Sequence, residues 1–174
     1  MPRVKGFTLI ELMIAIAILG IIVGLAAPAM SDFAVRQRVS GQASEIMLAL
    51  AFARSEAVKQ NREVVILPAT NSATGWSDGW CVGLASGTDE MSNCGDPDSL
   101  RNFSASTGVT ITSAFLATSP RLTFQRDGTC SLCGSNSFNI TSANLKATST
   151  DARCVSVTRQ GRASLTKITR DASC

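Results

Sequence analysis

The stretch "KGFTLIELMIAIAILGIIVGLAAPAM", residues 5–30, is a long apolar run that contains a single carboxylate. Residues 12–30 carry no charge at all. Together with residues 7–10 they reach the roughly 20 apolar residues that a helix needs to cross a lipid bilayer. We therefore predict a transmembrane helix over residues 7–30.

The carboxylate in this run is Glu11, which lies close to the N-terminal end. A charge costs less there than at the centre of a bilayer, so a helix-end carboxylate at the lipid headgroups is one interpretation. The other is that Glu11 awaits a positive partner supplied by another molecule. Further along, Pro28 should kink or locally unwind the helix, because proline removes a backbone hydrogen bond.

A short basic leader, residues 1–6, precedes the run and contains Arg3, Lys5 and no acid. Such a leader holds the N-terminus of a chain in the cytoplasm. A secretory signal would end in a small-residue cleavage site. The segment "GLAAPAM" could serve as one, but the helical pattern continues beyond Met30. Retention of the apolar helix is therefore favoured over its removal.

An amphipathic pattern follows over residues 31–60. Its apolar stripe consists of Val39, Ala43, Ile46, Leu50, Ala53 and Ala57, whereas Arg36, Arg38, Gln42, Glu45 and Lys59 fall mostly off the stripe. Spacings of three and four are typical of a helix that buries one face. We predict one long helix whose first half lies in the membrane and whose second half packs on a globular head.

Short β-branched or aromatic runs separated by turn residues follow Asn61. The predicted strands are "EVVILP" (63–68), "GWCVGLA" (79–85), "VTITS" (109–113), "RLTFQRDGT" (121–129, ending in an Asp127-Gly128 turn), "NSFNIT" (136–141), "RCVSVTR" (153–159) and "GRASLTKIT" (161–169). Gln160-Gly161 between the last two suits a hairpin, and residues 86–99 and 141–152 are predicted loops. A helix followed by antiparallel strands predicts an α+β domain.

Composition bounds the size and net charge of the head. Of the 174 residues, 45% are hydrophobic and 17% are charged, and residues 31–174 suffice for one domain with a sizeable core. Two of the 16 basic residues lie in the leader, so 14 face the 13 acidic residues once the leader is removed. A charge this close to zero gives no global argument for a polyanionic partner.

Six cysteines lie beyond the apolar run. An even set confined to an exported domain predicts disulfides formed in an oxidising compartment. By proximity and hairpin reasoning we favour the pairs Cys81–Cys94, Cys130–Cys133 and Cys154–Cys174. The C-x-x-C at 130–133 leaves a redox dithiol or half a zinc site open. The chain has no histidine and no second close cysteine pair, so we expect no metal.

The motif "KGFTLIELM" followed by an apolar segment resembles the class III signal of type IV prepilins and type II secretion pseudopilins. In that family the prepilin peptidase cuts after the glycine, here Gly6, and methylates the new N-terminal residue, here Phe7. The glutamate, here Glu11, is held to neutralise the α-amine of a neighbouring subunit during assembly. The resemblance implies a type IV pilin fold, with the long helix packed on an antiparallel β-sheet head over residues 31–174.

The resemblance also implies where the chain resides and what it meets. A prepilin is a single-pass inner-membrane protein with a periplasmic C-terminal domain, held by membrane lipid before it enters a pilus at the cell surface. Its partners are the prepilin peptidase, the inner-membrane assembly platform and other major and minor pilins. No cofactor is implied.

Two further segments, "ALAFARSEAVKQNREVVI" within residues 48–66 and "QGRASL" within 153–174, resemble the FimT/FimU branch of minor pilins, which is related to the H-type pseudopilin of type II secretion. Members of this branch are low-abundance subunits at or near the filament tip that prime assembly. Some FimT relatives bind DNA through a Gly-Arg-x-Arg motif. Gly161 and Arg162 match it, but Ser164 stands in place of the second arginine.

Residues 153–174 are locally basic. They contain Arg153, Arg159, Arg162, Lys167 and Arg170 against one acid, Asp171. Such a cluster is a candidate phosphate-contact surface, and we take Arg159, Arg162, Lys167 and Arg170 as candidate DNA contacts. Basic residues on strands are more often a solvated face or a guarded sheet edge, and no aromatic lies among them to stack on a base. DNA binding is therefore not favoured.

Residues 78–98 show the opposite bias, with five acids and no basic residue. A calcium loop would use such oxygens, but the spacing matches no EF-hand. We expect an acidic solvated loop.

No enzymatic chemistry is indicated, because the chain lacks a histidine for acid–base work and a phosphate-binding glycine loop. We expect a minor pilin that acts as a structural and priming subunit of a type IV pilus. The alternatives are a pseudopilin of a type II secretion system and a DNA-binding pilus subunit for natural transformation.

Overall fold

The computed structural model describes residues 7–70, 72, 75–86, 89–113, 120–131, 133 and 136–174, with the backbone alone at 25–29, 86, 89–90 and 136. The chain divides into two compact units, Met1–Ala34 and Val35–Cys174. The described part of the first unit is helical from Leu9 onward, and the second unit contains the strands. The predicted leader over residues 1–6 lies outside the described residues.

One helix, α1, spans Leu9–Gln60, which confirms the long helix predicted from the sequence. It ends in a Schellman motif. Asn61 adopts a left-handed φ of 52°, and the N–H groups of Asn61 and Arg62 donate to the carbonyls of Val58 and Ala57 at 3.4 and 3.3 Å. Asparagine tolerates this conformation better than most residues, so it stops the helix before the first strand.

The first unit contains the N-terminal part of α1. The large apolar side chains described there are exposed, among them those from Leu9 to Val23 and that of Met30. Within the described residues, no helix is both long enough and apolar enough to cross a membrane. The helix assignment continues through residue 28. The membrane span over 7–30 and the kink at Pro28 stay predictions.

In the second unit, α1 buries the predicted stripe. Each of its six positions is at most 2% exposed: Val39, Ala43, Ile46, Leu50, Ala53 and Ala57. Gln42 was predicted to lie mostly off the stripe, but it is buried, and its Nε2 donates to the Ser104 carbonyl at 3.5 Å. It lies four residues before Ile46, so it shares the same helix face.

Nine strands and one short 3₁₀ helix, Gly75–Asp78, follow in the described residues. The strands are β1 Val64–Pro68, β2 Trp80–Ser86, β3 Asp89–Glu90, β4 Ser99–Phe103, β5 Thr110–Thr112, β6 Leu122–Phe124, β7 Asn136–Thr141, β8 Ala152–Val157 and β9 Ala163–Ile168. The seven predicted strands are all present, although the one starting at Arg121 ends earlier than predicted.

The strands form two antiparallel sheets. The first has five strands in the order β3-β2-β1-β6, with β4 also paired to β2, and the second has the order β5-β7-β8-β9. In the first sheet, β3 and β4 therefore lie on one side of β2, and β6 lies at the opposite edge. The antiparallel β-sheet head expected from the sequence is thus confirmed, and its strands are divided between two sheets.

The predicted loop over residues 86–99 was wrong in part, because it contains β3 and the first residue of β4. β4 escaped prediction because most of its side chains are polar and exposed. It is held by pairing with β2 and by Arg101, whose guanidinium lies 4.8 Å from the ring centroid of Phe103 and 5.7 Å from that of Phe52. Such cation–π contacts leave no apolar periodicity in the sequence.

β1 is apolar throughout because both of its faces are covered. Val64 and Ile66 belong to the main core cluster with α1, whereas Val65 and Leu67 belong to a second cluster with Cys81 and Met91. The Cys81–Cys94 disulfide fixes the segment that carries Met91 over this second face. An uninterrupted apolar strand is what burial on both faces requires.

The turn between β8 and β9 contains Gly161, as the Gln160-Gly161 pair predicted. Gly161 adopts a φ of +71°. A Cβ atom there would also collide with the Gly128 carbonyl oxygen and approach the Phe124 ring and the Arg54 side chain at 3.2 and 3.3 Å. Only glycine meets both requirements without strain.

Gly161→Ala should therefore destabilise the head more than Gly108→Ala, a matched control with a φ of +79° and open space around its Cα. The conformational cost, about 1–2 kcal/mol, applies to both variants. The collision should add roughly 1–3 kcal/mol at Gly161 alone. Urea unfolding of residues 35–174 measures both, and equal losses would contradict the packing argument.

Candidate functional site

The start of α1 carries the residues expected to act in processing and assembly. Phe7 is 77% exposed. The backbone N–H of Glu11 donates to Thr8 Oγ1 at 3.3 Å, and the N–H of Leu12 donates to the Thr8 carbonyl at 3.2 Å. Thr8 is thus the N-cap and Glu11 the third helical residue, which are the two positions of a capping box.

The exposed Glu11 carboxylate lies in the first turn of α1. The helix dipole favours a negative charge at this end. Glu11 therefore has a local role at the helix terminus besides any role towards a partner. Gly6 lies outside the described residues, so cleavage after Gly6, methylation of Phe7 and pairing of Glu11 stay predictions.

The six cysteines form the three pairs favoured from the sequence, Cys81–Cys94, Cys130–Cys133 and Cys154–Cys174, with Cα–Cα distances of 5.4, 5.3 and 5.7 Å. No cysteine is free. In the described part of the chain, no three histidine, cysteine or acidic residues are grouped so that they could hold a metal ion.

The C-terminal tail after β9 is fastened across β7 and β8. Asn139 Nδ2 donates to the Ala172 carbonyl at 3.0 Å, and Thr141 Oγ1 donates to the Arg170 carbonyl at 3.3 Å. The Cys154–Cys174 disulfide then joins the last residue to β8. The basic segment at the end of the chain is therefore a fixed part of the head.

Two of the basic residues in this segment are engaged internally. The Arg170 guanidinium donates to both Asp171 carboxylate oxygens at 2.8 and 3.1 Å, and to the Leu145 carbonyl at 3.1 Å. The hydrogen bonds from Arg170 lower the pKa of Asp171. The stabilisation from this pair is therefore fully present at a pH above the usual carboxyl pKa, and it is lost as the pH falls through the lowered pKa. Arg153 is buried and donates to the carbonyls of residues 150, 151 and 152.

The other candidate DNA contacts are exposed but spread out. Arg159 and Arg162 flank the β8–β9 turn, whereas Lys167 lies four residues beyond Ala163 on β9. Four residues of strand separate positions by about 13 Å. The four candidates, Arg159, Arg162, Lys167 and Arg170, thus do not form one compact surface.

A groove of 620 Å³ lies between the outer face of α1 and the β8–β9 turn. Its lining residues are Met47, Ala51, Arg54, Ser55, Val58, Lys59, Gly161, Arg162 and Ala163. The sequence analysis missed it because Met47, Ala51 and Val58 lie off the buried stripe. Their own spacing of four and seven was the available signal for a second apolar face.

Two family models match the chain. Residues 42–161 match the family described as type II transport protein GspH, and residues 1–27 match the prokaryotic N-terminal methylation motif. A fimbrial protein of Pseudomonas aeruginosa is 43% identical over 65 residues, which are 37% of this chain. The match spans only 42% of the length of that curated relative.

Solved structures share the fold. The type IV minor pilin FimU of Pseudomonas aeruginosa has a TM-score of 0.56 at 26% identity, over 73% of this chain and 91% of FimU. The minor pseudopilin EpsH from the type 2 secretion system of Vibrio cholerae has a TM-score of 0.55 at 9% identity, over 75% of this chain and 97% of EpsH. The expected pilin fold, a long helix with an antiparallel head, is therefore confirmed.

The disulfide pattern predicts the outcome of peptide mapping without reduction. Protein isolated from oxidising conditions should yield the linked peptides Cys81–Cys94, Cys130–Cys133 and Cys154–Cys174. Cys154→Ser should release the tail, so that carboxypeptidase removes residues from the C-terminus at least about tenfold faster, because a constrained backbone resists cleavage. Free thiols at Cys130 and Cys133 in otherwise oxidised protein would instead support the redox interpretation.

Proposed function

The chain belongs to the GspH family and is a protein of the minor-pilin or pseudopilin type, and from this we propose that it is a structural and priming subunit of a type IV pilus. The observation that carries the proposal is the first segment of α1. From Phe7 to Met30 its only charged residue is Glu11, and its described large apolar side chains are exposed. Such a helix requires lipid or other apolar helices around it.

The pilus is preferred over a secretion system because of the relatives. The minor pilin FimU shares 26% of its residues with this chain, and the pseudopilin EpsH shares 9%. The description of the matched family as a type II transport protein favours the second candidate, a pseudopilin of type II secretion. Both candidates use the same helix in the same way, so they differ in the filament that the chain joins.

We also propose where the chain resides and which partners it meets. The chain enters the inner membrane with its head in the periplasm, and the prepilin peptidase removes residues 1–6 and methylates Phe7. The assembly platform then transfers it from lipid to other major and minor pilins. In the filament, Glu11 meets the α-amine of Phe7 on a neighbouring subunit. A paired charge in apolar surroundings sets register more than it adds stability.

A DNA-binding role is the third candidate, and only the β8–β9 turn favours it. Arg159 and Arg162 are exposed there, but Arg170 is held by Asp171. Two or three phosphate contacts give affinities no better than the non-specific range of about 10⁻⁴ to 10⁻⁶ M. We also propose that the chain is not an enzyme, in line with its pilin relatives.

Leader removal is the first test of the proposal. Intact-mass analysis of the protein from membranes of cells that contain the peptidase should show a chain starting at Phe7 and carrying one added methyl group. Gly6→Val should block the cut, because the peptidase needs close access to the backbone at that position. A wild-type chain that keeps residues 1–6 would overturn the proposal.

Glu11→Gln is the second test, and it separates charge from helix capping. Glutamine also fills the third position of a capping box, so α1 and membrane insertion should be unchanged. The variant should enter purified pili at least about tenfold less than wild type, because it offers no charge to an incoming amine.

Glu45→Gln is the matched control, since it makes the same chemical change on the head part of α1 and should enter pili normally. Normal incorporation of Glu11→Gln would show that the charge serves the helix terminus alone.

Normal pili together with lost protein secretion in a deletion strain would move the assignment to the pseudopilin candidate.

A further inference from the structure

The groove between α1 and the β8–β9 turn has an apolar floor and a basic rim. Met47, Ala51 and Val58 contribute the floor from α1, and Val58 is 53% exposed. Arg54 and Arg162 form the rim, and neither forms an ion pair with a carboxylate in the described residues.

The groove is already shaped before anything binds. Arg54 Nη1 donates to the Gly161 carbonyl at 3.4 Å, which ties the helix side of the groove to the turn. The turn is anchored in addition by the Cys130 N–H, which donates to the Arg159 carbonyl at 2.8 Å. Cys130 forms an isolated β-bridge with Phe124 at the end of β6. This anchor therefore places the turn beside the β6 edge of the first sheet.

The opposite edge of the same sheet carries the complementary chemistry. Residues 96–100, "DPDSL", lead into β4 and contain two carboxylates and the 39% exposed Leu100. The segment is ordered: the Leu84 N–H donates to the Asp98 carbonyl at 3.1 Å, and the Ser92 N–H donates to Asp96 Oδ2 at 3.3 Å. A preordered segment loses little conformational entropy when it binds.

We propose that the groove of one copy binds residues 96–100 of a second copy of this chain. Leu100 lies on the apolar floor, and the carboxylate of Asp98 meets the guanidinium of Arg162. The two surfaces lie at opposite edges of the first sheet, so they are joined between copies. The contact goes beyond the proposed function, because heads can form it whether or not the chain is built into a pilus.

The composition of the groove favours a peptide over a nucleic acid. A phosphate backbone gains nothing from an apolar floor, whereas a leucine beside a carboxylate uses both the floor and the rim. Charge complementarity of this type sets register between partners. A contact between two different surfaces leaves one of each free on the outer copies, so it propagates head to tail instead of closing a dimer.

Introduced cysteines test the contact in the full chain in membranes. One copy carries Val58→Cys and a differently tagged copy carries Leu100→Cys. Mild oxidation should link the two, because a disulfide forms only when the Cα atoms come within about 7 Å. Each variant expressed alone should give at least about tenfold less dimer, since a head-to-tail contact never brings a residue next to its own copy.

Leu165→Cys is the matched control for Leu100→Cys, because both leucines are 39% exposed and Leu165 lies on β9. It should not link to Val58→Cys. Peptide mapping of every variant should show the three native disulfides, so that a missing cross-link counts against the contact and not against folding.

Charge reversal tests the proposed ion pair. Arg162→Glu in the Val58→Cys copy should lower the cross-link yield about tenfold, and Asp98→Lys in the Leu100→Cys copy should restore it. Arg159→Glu makes the same charge change on the same turn, but Arg159 does not line the groove, so this control should lower the yield much less than Arg162→Glu does.

Three results would overturn the proposal. They are a dimer formed by Val58→Cys alone, a yield that ignores Arg162, and no link between positions 58 and 100 in correctly disulfide-bonded protein. If the link is absent and Arg162→Glu abolishes salt-dependent binding of duplex DNA, the groove is a nucleic-acid surface instead. Because the link is scored in membranes with or without pili, its failure is separable from failure of the Glu11→Gln test.

Discussion

Small side chains along one face of α1 allow a large aromatic core to form against the helix. Ala43, Ala53 and Ala57 are fully buried, and they belong to the same cluster as the big rings of the head, Trp76, Trp80, Phe124 and Phe138. A protein interior is packed to crystal-like density. The small alanine side chains leave space beside the helix, and the large rings of the head fill this space. Both sheets contribute to this one cluster, and neither could bury its inner face without α1.

A second constraint follows from β1, which is paired on both edges and buried on both faces. Because α1 covers only one face, the chain needs another layer over Val65 and Leu67. The segment after β2 supplies it with Met91, and the Cys81–Cys94 disulfide holds that segment in place. The acidic residues near 89–98 are therefore carried by a structural cover, and this explains why a charged segment is ordered at the edge of the sheet.

The regular spacing of apolar residues predicted those elements that bury at least one face. The α1 stripe, β1 and β2 were found because buried faces leave apolar residues at regular intervals. β4 was not found, because Arg101 and its aromatic neighbours hold an exposed strand through pairing and cation–π contact. The groove was not found for a related reason: Arg162 and Val58 are distant in sequence, and only the tertiary fold brings them together. The hydrogen bond from Arg170 to the Leu145 carbonyl likewise depends on the position of the tail.

The distribution of charge separates adhesion from selectivity in this chain. An exposed aliphatic helix such as residues 9–23 adheres to lipid or to other apolar helices with little discrimination, because apolar burial is non-directional. Discrimination requires a point where an incorrect partner leaves a charge unpaired. Residues 9–23 have one such point, Glu11, and the second unit has several, arranged as an acidic edge and a basic groove. In such an arrangement the helix supplies most of the attraction, and the charges of the head determine which partner surface the head binds.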